Sequence, residues 1–161
     1  MASRRTPCYT GGTSKERVTS MKPLRMHHVG VVLPTVEQAE HLIELFGLEV
    51  DYRGYVKSYH ADLIFTKYGP NESPIEFIIP HEGVLTRFNG GKGGIAHIAF
   101  EVEDVEAASR ELEAQGLEML EKEAVEGTSD IIVNFLRPRY SEGVLFELVQ
   151  TVGPIDRGDR H

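Results

Sequence analysis

Two histidines and two glutamates recur at matching positions in two copies of one sequence unit. Residues 28–50 and 97–119 align without a gap and agree at eight of 23 positions, which pairs His28 with His97. Each copy later reaches an apolar segment that carries one glutamate, Glu76 in the first copy and Glu147 in the second. Imidazole nitrogens and carboxylate oxygens are common ligands of divalent transition metals. The repeat therefore contains the ligands that a metal site needs, half of them in each copy.

The alternation of apolar residues predicts the side on which these four residues lie. The apolar positions of the strand-like segments are Val29, Val31 and Leu33, then Ile75, Phe77 and Ile79, then Ile98, Phe100 and Val102, and finally Phe146 and Leu148. Both histidines and both glutamates fall on the opposite face, and these faces line a shared cleft if the two sheets curl toward each other. The alternative is two ordinary half-buried histidines and two solvated glutamates, but glutamate is rarely buried without a partner or a metal. His27 falls on the face opposite His28, which predicts an ordinary structural histidine.

Both copies have the pattern of a βαβββ unit. Thr35 and Asp104 are typical helix N-caps, and Gly47 and Gly116 are placed to end the same two helices. Strands are predicted near residues 26–33, 48–53, 59–67 and 74–79, and again near 95–102, 117–122, 131–137 and 144–150. The pattern predicts an α+β fold built from tandem units.

Composition favours one soluble domain made of both units. A chain of 161 residues with 40% hydrophobic residues can bury one core, whereas a unit of about 55 residues is marginal alone. A net charge of −8 argues against a nucleic-acid partner. The single cysteine, Cys8, excludes an internal disulfide, and no apolar run approaches the roughly 18 residues that cross a bilayer. We expect a cytoplasmic protein that binds neither nucleic acid nor membrane.

The two ends of the chain lack a periodic apolar pattern. Residues 1–24 are polar, basic and rich in Gly, Ser and Thr, which predicts a disordered arm. Arginine and serine with Glu16 as the one acidic residue are also typical of organelle-targeting segments, although the apolar face of an amphipathic helix is missing. An organellar matrix is therefore the alternative location. Residues 151–161 are predicted to form a loose polar tail.

Several motifs of the repeat point to one family. They are His28-Val29-Gly30, His97-Ile98-Ala99, the Ile75-Glu76 strand, and the closing run from Phe135-Leu136-Arg137-Pro138 through Gly143-Val144-Leu145-Phe146-Glu147-Leu148. With the duplicated unit, they resemble the glyoxalase/vicinal-oxygen-chelate superfamily over about residues 25–150. The resemblance divides the domain into a first module at about 25–80, a linker at 81–93 and a second module at about 94–150. Gly127-Thr128-Ser129 and the glycine-rich approach to His97 are most similar to the methylmalonyl-CoA epimerases and related proteins.

This resemblance implies that the tandem βαβββ modules form a cleft of curled mixed sheet. It implies one divalent metal per chain, Co²⁺, Mn²⁺, Ni²⁺, Fe²⁺ or Zn²⁺, bound by His28, Glu76, His97 and Glu147. The implied chemistry is epimerisation or isomerisation by proton transfer next to a carbonyl or thioester, as in an acyl-CoA. Glu147 is the expected base, and Glu76 is a ligand and a candidate second acid or base. A homodimer is also implied.

One segment departs from the epimerase pattern. Those epimerases resemble each other in a further glutamate shortly before the third strand, whereas residues 55–60 here read Tyr-Val-Lys-Ser-Tyr-His and contain no carboxylate. His60 or Glu76 is the expected substitute. Arg137 and Arg139, on either side of Pro138, are candidates for binding a phosphate or carboxylate of the substrate.

Three other functions stay open at this point. A glyoxalase I-like lactoylglutathione lyase would use the same metal site on a hemithioacetal-like substrate. An Fe²⁺ oxygenase would need a coordination position that Glu76 takes as a fourth protein ligand, which argues against it. A non-catalytic, resistance-type protein would bind a small molecule without metal, and such proteins tend to lack the ligand set.

Overall fold

The computed structural model describes residues 21–128 and 130–153, so the predictions for residues 1–20 and 154–161 lie outside the described residues. Within the described part, eight strands form one mixed sheet in the order β2-β3-β4-β1-β5-β8-β7-β6. The strands are Arg25–Val32 (β1), Val50–Val56 (β2), Ala61–Thr66 (β3), Ile75–Pro80 (β4), Gly94–Glu101 (β5), Val125–Glu126 (β6), Ile131–Leu136 (β7) and Phe146–Thr151 (β8). The helices are Val36–Phe46 (α1) and Val105–Ala114 (α2), and 3₁₀ segments lie at Lys57–Tyr59, Val84–Gly91 and Pro138–Tyr140.

The two modules meet at the centre of the sheet. Strand β1 pairs with β5 in antiparallel orientation, and each of these strands pairs in parallel with the last strand of its own module, β4 or β8. The outer ends of the sheet then approach each other, because Tyr52 Oη lies 2.8 Å from Thr128 Oγ1 and Ser58 Oγ donates to the carbonyl of Glu126 at 3.3 Å. The sheet is curled and nearly closed, as the tandem-module prediction requires.

Both helices begin and end as the sequence predicts, and they cover the outer face of the sheet. Thr35 Oγ1 accepts from the Gln38 amide at 3.4 Å, and Asp104 Oδ1 accepts from the Ala107 amide at 2.8 Å. Gly47 ends α1 in the left-handed conformation, with φ of 61°. The outer clusters are Ala39, Ile64, Phe77 and Ile79 around α1, and Val102, Val105, Ala108, Leu112, Met119 and Leu148 around α2. Since these clusters take up the predicted apolar faces, the opposite faces line the interior of the curl.

One predicted strand, residues 117–122, is wrong. There, Met119 forms an isolated bridge to Leu136, and the ordered edge is the two-residue strand β6 farther on. The buried Asn134 explains the interruption, because its amide accepts from Glu121 N and donates to Glu121 O, each at 3.1 Å. A side chain thus satisfies backbone groups that a strand partner would otherwise bond. The other predicted strands are present, with ends shifted by up to three residues.

The segment before β1 contacts the second module. The backbone amide of Met21 donates to Glu111 Oε1 at 3.1 Å, and Met21 packs on the cluster around α2. The Leu24 amide donates to the carbonyl of Glu101 at 2.8 Å. Residues 21–24 of the predicted arm therefore lie against the domain. Among the described residues, no helix combines the length and the apolar character that a bilayer crossing requires.

Candidate metal centre

The four central strands each place one candidate ligand on the inner face. His28 lies on β1, Glu76 on β4, His97 on β5 and Glu147 on β8. The pairing of Gly30 with both Glu76 and His97 sets these residues side by side across three strands. All four side chains are buried, with exposed fractions of 0% for His28, 6% for Glu76, 6% for His97 and 5% for Glu147.

The four side chains meet inside the sheet, where each carboxylate lies close to both histidines. His28 Nε2 lies 2.9 Å from His97 Nε2, 3.2 Å from Glu76 Oε2 and 3.0 Å from Glu147 Oε2. His97 Nε2 lies 3.3 Å from Glu76 Oε2 and 3.2 Å from Glu147 Oε2. Metal–ligand bonds of about 2.0–2.2 Å put neighbouring ligands about 3.0–3.5 Å apart. The five separations match that spacing, and His28, Glu76 and His97 together could bind a metal ion.

The hydrogen bonding of Glu147 also supports a metal site. Its Oε2 is buried, and within the described part of the chain no donor reaches it in hydrogen-bonding geometry, although two imidazole nitrogens lie close by. A buried carboxylate oxygen without a donor costs free energy, and a cation bound to that oxygen removes the cost. The donor set of two imidazoles and two carboxylates therefore fits a divalent transition metal.

The electrostatics of the cluster call for positive charge at its centre. Burial disfavours protonation of the histidines, but the carboxylates of Glu76 and Glu147 outweigh it and raise the pKa of His28 to about 9 and of His97 to about 10. Burial disfavours the charged carboxylates too, yet the two histidines hold the pKa of Glu76 and Glu147 below the usual range. Without a metal, two protons balance the two carboxylates, and a divalent cation supplies the same charge.

Aromatic rings and a glycine surround the cluster. Phe65 packs edge-on against His28, with ring centroids 5.2 Å apart, and Phe135 packs edge-on against His97 at 5.7 Å. A Cβ atom at Gly30 would overlap Cε1 of the His97 ring, so this position requires glycine. These contacts restrict both imidazoles and reduce the access of water.

His27 does not behave as strand alternation predicts. Its Nδ1 lies 2.8 Å from His28 Nδ1, on the side of the His28 ring away from the cluster. Burial, and to a lesser extent the charges of His28 and Arg25, lower the pKa of His27 to about 4. The prediction that His27 lies on the opposite face is therefore wrong, because a register shift between Met26 and His28 interrupts the alternation, while its role as a structural histidine stays a prediction.

The candidate substrate residues lie at the surface. His60 is exposed and its Nδ1 lies 2.9 Å from Glu82 Oε1. Arg137 and Arg139 are also exposed and pair with Glu118 at 3.6 Å and 2.5 Å. Their role in binding substrate stays a prediction.

Sequence reasoning missed Tyr59, which follows the end of β2. Tyr59 packs on the inner clusters of both modules, and its ring meets Phe135 edge-on at 5.8 Å. Its hydroxyl donates to Glu121 Oε1 at 3.4 Å, and burial together with Glu121 and Glu147 raises its pKa. Tyr59 belongs to residues 55–60, the stretch without the expected carboxylate, and that departure was the signal that could have found it.

Comparisons with known proteins identify related sequences and related folds. The family model described as Glyoxalase/Bleomycin resistance protein/Dioxygenase superfamily matches residues 27–135. The mitochondrial methylmalonyl-CoA epimerase of Mus musculus is 27% identical over 129 residues, which are 78% of this chain and 72% of that protein. The crystal structure of methylmalonyl-CoA epimerase from Mycobacterium tuberculosis has a TM-score of 0.76 at 23% identity and covers 86% of this chain and 95% of its own.

A variant of Streptomyces coelicolor methylmalonyl-CoA epimerase in complex with 2-nitronate-propionyl-CoA has a TM-score of 0.74 at 23% identity. The match covers 82% of this chain and 100% of that one. The solved structures confirm the curled tandem-module fold. Because the family model spans more than half of the chain, the protein belongs to the Glyoxalase/Bleomycin resistance protein/Dioxygenase superfamily.

Proposed function

We propose that this protein is a metal-dependent epimerase that inverts the carbon next to the thioester of an acyl-CoA, with methylmalonyl-CoA as the first substrate to test. The observation that carries the proposal is that Glu76 Oε2 and Glu147 Oε2 each lie close to the Nε2 atoms of His28 and His97 inside the sheet. Support for the substrate comes from relatives named as methylmalonyl-CoA epimerases and from a neighbour that binds 2-nitronate-propionyl-CoA.

Glu147 is the proposed base, and it joins His28, Glu76 and His97 as the fourth ligand. A divalent ion bound there would supply positive charge near the substrate carbonyl, where negative charge develops as the adjacent carbon loses its proton. Glu147 accepts that proton, since its carboxylate is buried beside both histidines in the interior of the sheet. Glu76 holds the other side of the site, and Phe65 and Phe135 exclude water from the reacting carbon.

Inversion needs a second group that returns a proton to the opposite face of the enolate. We assign this step to Tyr59, which packs on the inner clusters of both modules and whose raised pKa keeps the phenol protonated. In the forward direction Glu147 gains the substrate proton and Tyr59 becomes a phenolate, and exchange of protons with water then restores the carboxylate and the phenol for the next turnover. This assignment replaces His60, which pairs with Glu82 at the surface.

The first test combines metal analysis with a substrate assay. Purified protein should contain about one divalent metal per chain, which the Glu147→Gln variant should lose in part or completely. Loaded protein should exchange the α-proton of methylmalonyl-CoA with D₂O and interconvert its epimers. Isomerisation of a hemithioacetal in place of epimerisation would favour the lyase. Failure to bind Co²⁺, Ni²⁺, Mn²⁺ or Zn²⁺ would overturn the enzymatic proposal and favour a small-molecule-binding protein.

Three finer properties belong to the same proposal. Arg137 and Arg139 would bind the phosphates or carboxylate of the acyl-CoA by exchanging their contacts with Glu118, and substitution of either should raise the KM. The active form would be a homodimer, which light scattering can measure. Its location would be the cytoplasm, with an organellar matrix as the alternative, and a fluorescent fusion of the full chain distinguishes the two.

A further inference from the structure

His27 occupies a β-bulge beside the proposed ligand His28. Across the β1–β5 pair, Met26 faces Phe100 while His28 faces Ala99, so the register shifts by one residue and His27 has no partner of its own on β5. A bulge increases the local twist and redirects a side chain that regular alternation would send to the opposite face. The bulge places the ring centroids of His27 and His28 5.0 Å apart, with an angle of 79° between the ring planes.

The contact between the two rings joins specific atoms. His27 Nδ1 lies 2.8 Å from His28 Nδ1, while His28 Nε2 is turned toward His97 and the carboxylates. A neutral imidazole that offers its Nε2 lone pair to a metal has its proton on Nδ1. His28 Nδ1 must then donate, and His27 Nδ1 accepts the hydrogen bond.

From this geometry we infer that His27 is a positioning residue for the metal site, which selects the tautomer and ring orientation of His28 that expose Nε2. The inference rests on the proposed role of His28 as a metal ligand. Groups that accept the second N–H of a metal-bound histidine change metal affinity by about 10- to 100-fold. His27 therefore acts through His28 and does not need to touch the substrate.

The second histidine of the site is held differently. Ala96 precedes His97, and its methyl group cannot accept a hydrogen bond. The His97 ring instead lies over Gly30 and against the edge of Phe135. The duplicated unit therefore provides an internal control, because only the first module has a hydrogen-bonding neighbour directly before its ligand.

The test titrates Co²⁺ into metal-free wild-type protein and four variants, and records affinity and the visible absorption of the bound ion. His27→Leu should weaken binding by about 10- to 100-fold and alter the spectrum, since His28 loses its acceptor. His27→Asn should restore both, because asparagine Oδ1 occupies the position of histidine Nδ1. His27→Gln should not restore them, because its oxygen lies farther from the backbone. His41→Leu, at an exposed position of α1, is the matched control and should leave affinity and spectrum unchanged.

The outcomes separate this inference from the proposed function. Wild-type protein that binds no Co²⁺ would refute the metal site itself. Binding by wild type with equal affinity and spectrum in His27→Leu would overturn only the role of His27. If His27→Leu does not fold, as judged by circular dichroism, the comparison of His27→Asn with His27→Gln decides. Equal affinities and spectra in those two variants would then refute the inference.

Discussion

In the first module His28 Nδ1 lies at hydrogen-bonding distance from His27 Nδ1, whereas in the second module the His97 ring packs between Gly30 and Phe135. Both modules nevertheless direct Nε2 to the same point. The comparison shows which part of a duplicated unit the site requires. The site requires each histidine at the same position of its strand, and different neighbouring residues can then hold its imidazole ring in place.

The edges of the two modules differ in the same way. The first module ends in a regular hairpin of β2 and β3, whereas the equivalent edge of the second module is the two-residue β6 and a loop that Asn134 holds. Where the edges meet, Tyr59 from the first module donates to Glu121 of that loop. The divergent edges therefore supply a contact that two identical modules could not make.

The largest effect should come from comparing the two carboxylates. Glu147→Gln removes the proposed base and should lower kcat by about 10³-fold even at saturating Co²⁺. Glu76→Gln removes a ligand and should mainly weaken metal binding, with a smaller loss of kcat once metal saturates. Steady-state epimerisation and metal titration measure both effects. An equal loss of kcat in both variants would show that the two modules contribute equivalent carboxylates.

Substitution of Tyr59 should affect inversion of the substrate more than exchange of its α-proton. Tyr59→Phe should slow epimerisation by about 10²-fold while Glu147 continues to exchange the α-proton with D₂O. Nuclear magnetic resonance of the substrate distinguishes the two rates. Tyr55→Phe, at an exposed site in the same stretch, is the control and should retain both. Normal inversion in Tyr59→Phe would remove Tyr59 from the mechanism.

The packing of His97 can be tested at two equivalent positions. Gly30→Ala should push the His97 ring from its place and weaken Co²⁺ binding by about 10- to 100-fold, a loss like that from disturbing the surroundings of a ligand. Ala99→Gly is the matching change in the second module and should cost about 0.5–1 kcal/mol of stability while leaving metal affinity intact. If both variants bind Co²⁺ like wild type, Gly30 is not needed to seat His97.

The stability of the loop around Glu121 in the second module should depend on the side-chain amide of Asn134. Asn134→Ala leaves the backbone groups of Glu121 and the amide of Phe135 without their partner and should lower the free energy of unfolding by about 1–3 kcal/mol. Urea denaturation measures the change. Asn71→Ala, in an exposed turn of the first module, should shift stability by no more than about 0.5 kcal/mol. A similar result for both would show that the loop needs no side-chain support.

A pH dependence of the metal-free protein tests the charge balance of the two histidines. The pKa values of His28 and His97 rise on folding to about 9 and about 10, above the ordinary histidine value of 6.5. The stabilisation is therefore complete below about pH 6.5 and is lost as pH rises through about 9 to 10. Urea denaturation of chelator-treated protein should show this decline, and metal-loaded protein should not. A flat profile without metal would contradict the charge balance described for the cluster.

Much of the fold was predictable because local periodicity records it. Alternation placed His28, Glu76, His97 and Glu147 opposite the apolar faces, and the caps at Thr35 and Asp104 marked the helix starts. Residues 117–122 could not be predicted correctly, because the interruption there comes from Asn134, a residue 13 positions beyond Glu121 in the chain.

The sequence by itself determined the repeat, the ligand types and the face on which each ligand lies, since these depend on neighbours a few positions away. Only the tertiary structure decided how His27 meets His28, why Gly30 must lack a side chain and where Tyr59 finds Glu121. Those contacts depend on the register of strands and edges that lie 60 to 70 residues apart, for example the 62 residues between Tyr59 and Glu121 and the 69 between His28 and His97. A bulge or a close approach between such distant segments produces no periodic pattern in the sequence, so it cannot be predicted from local periodicity.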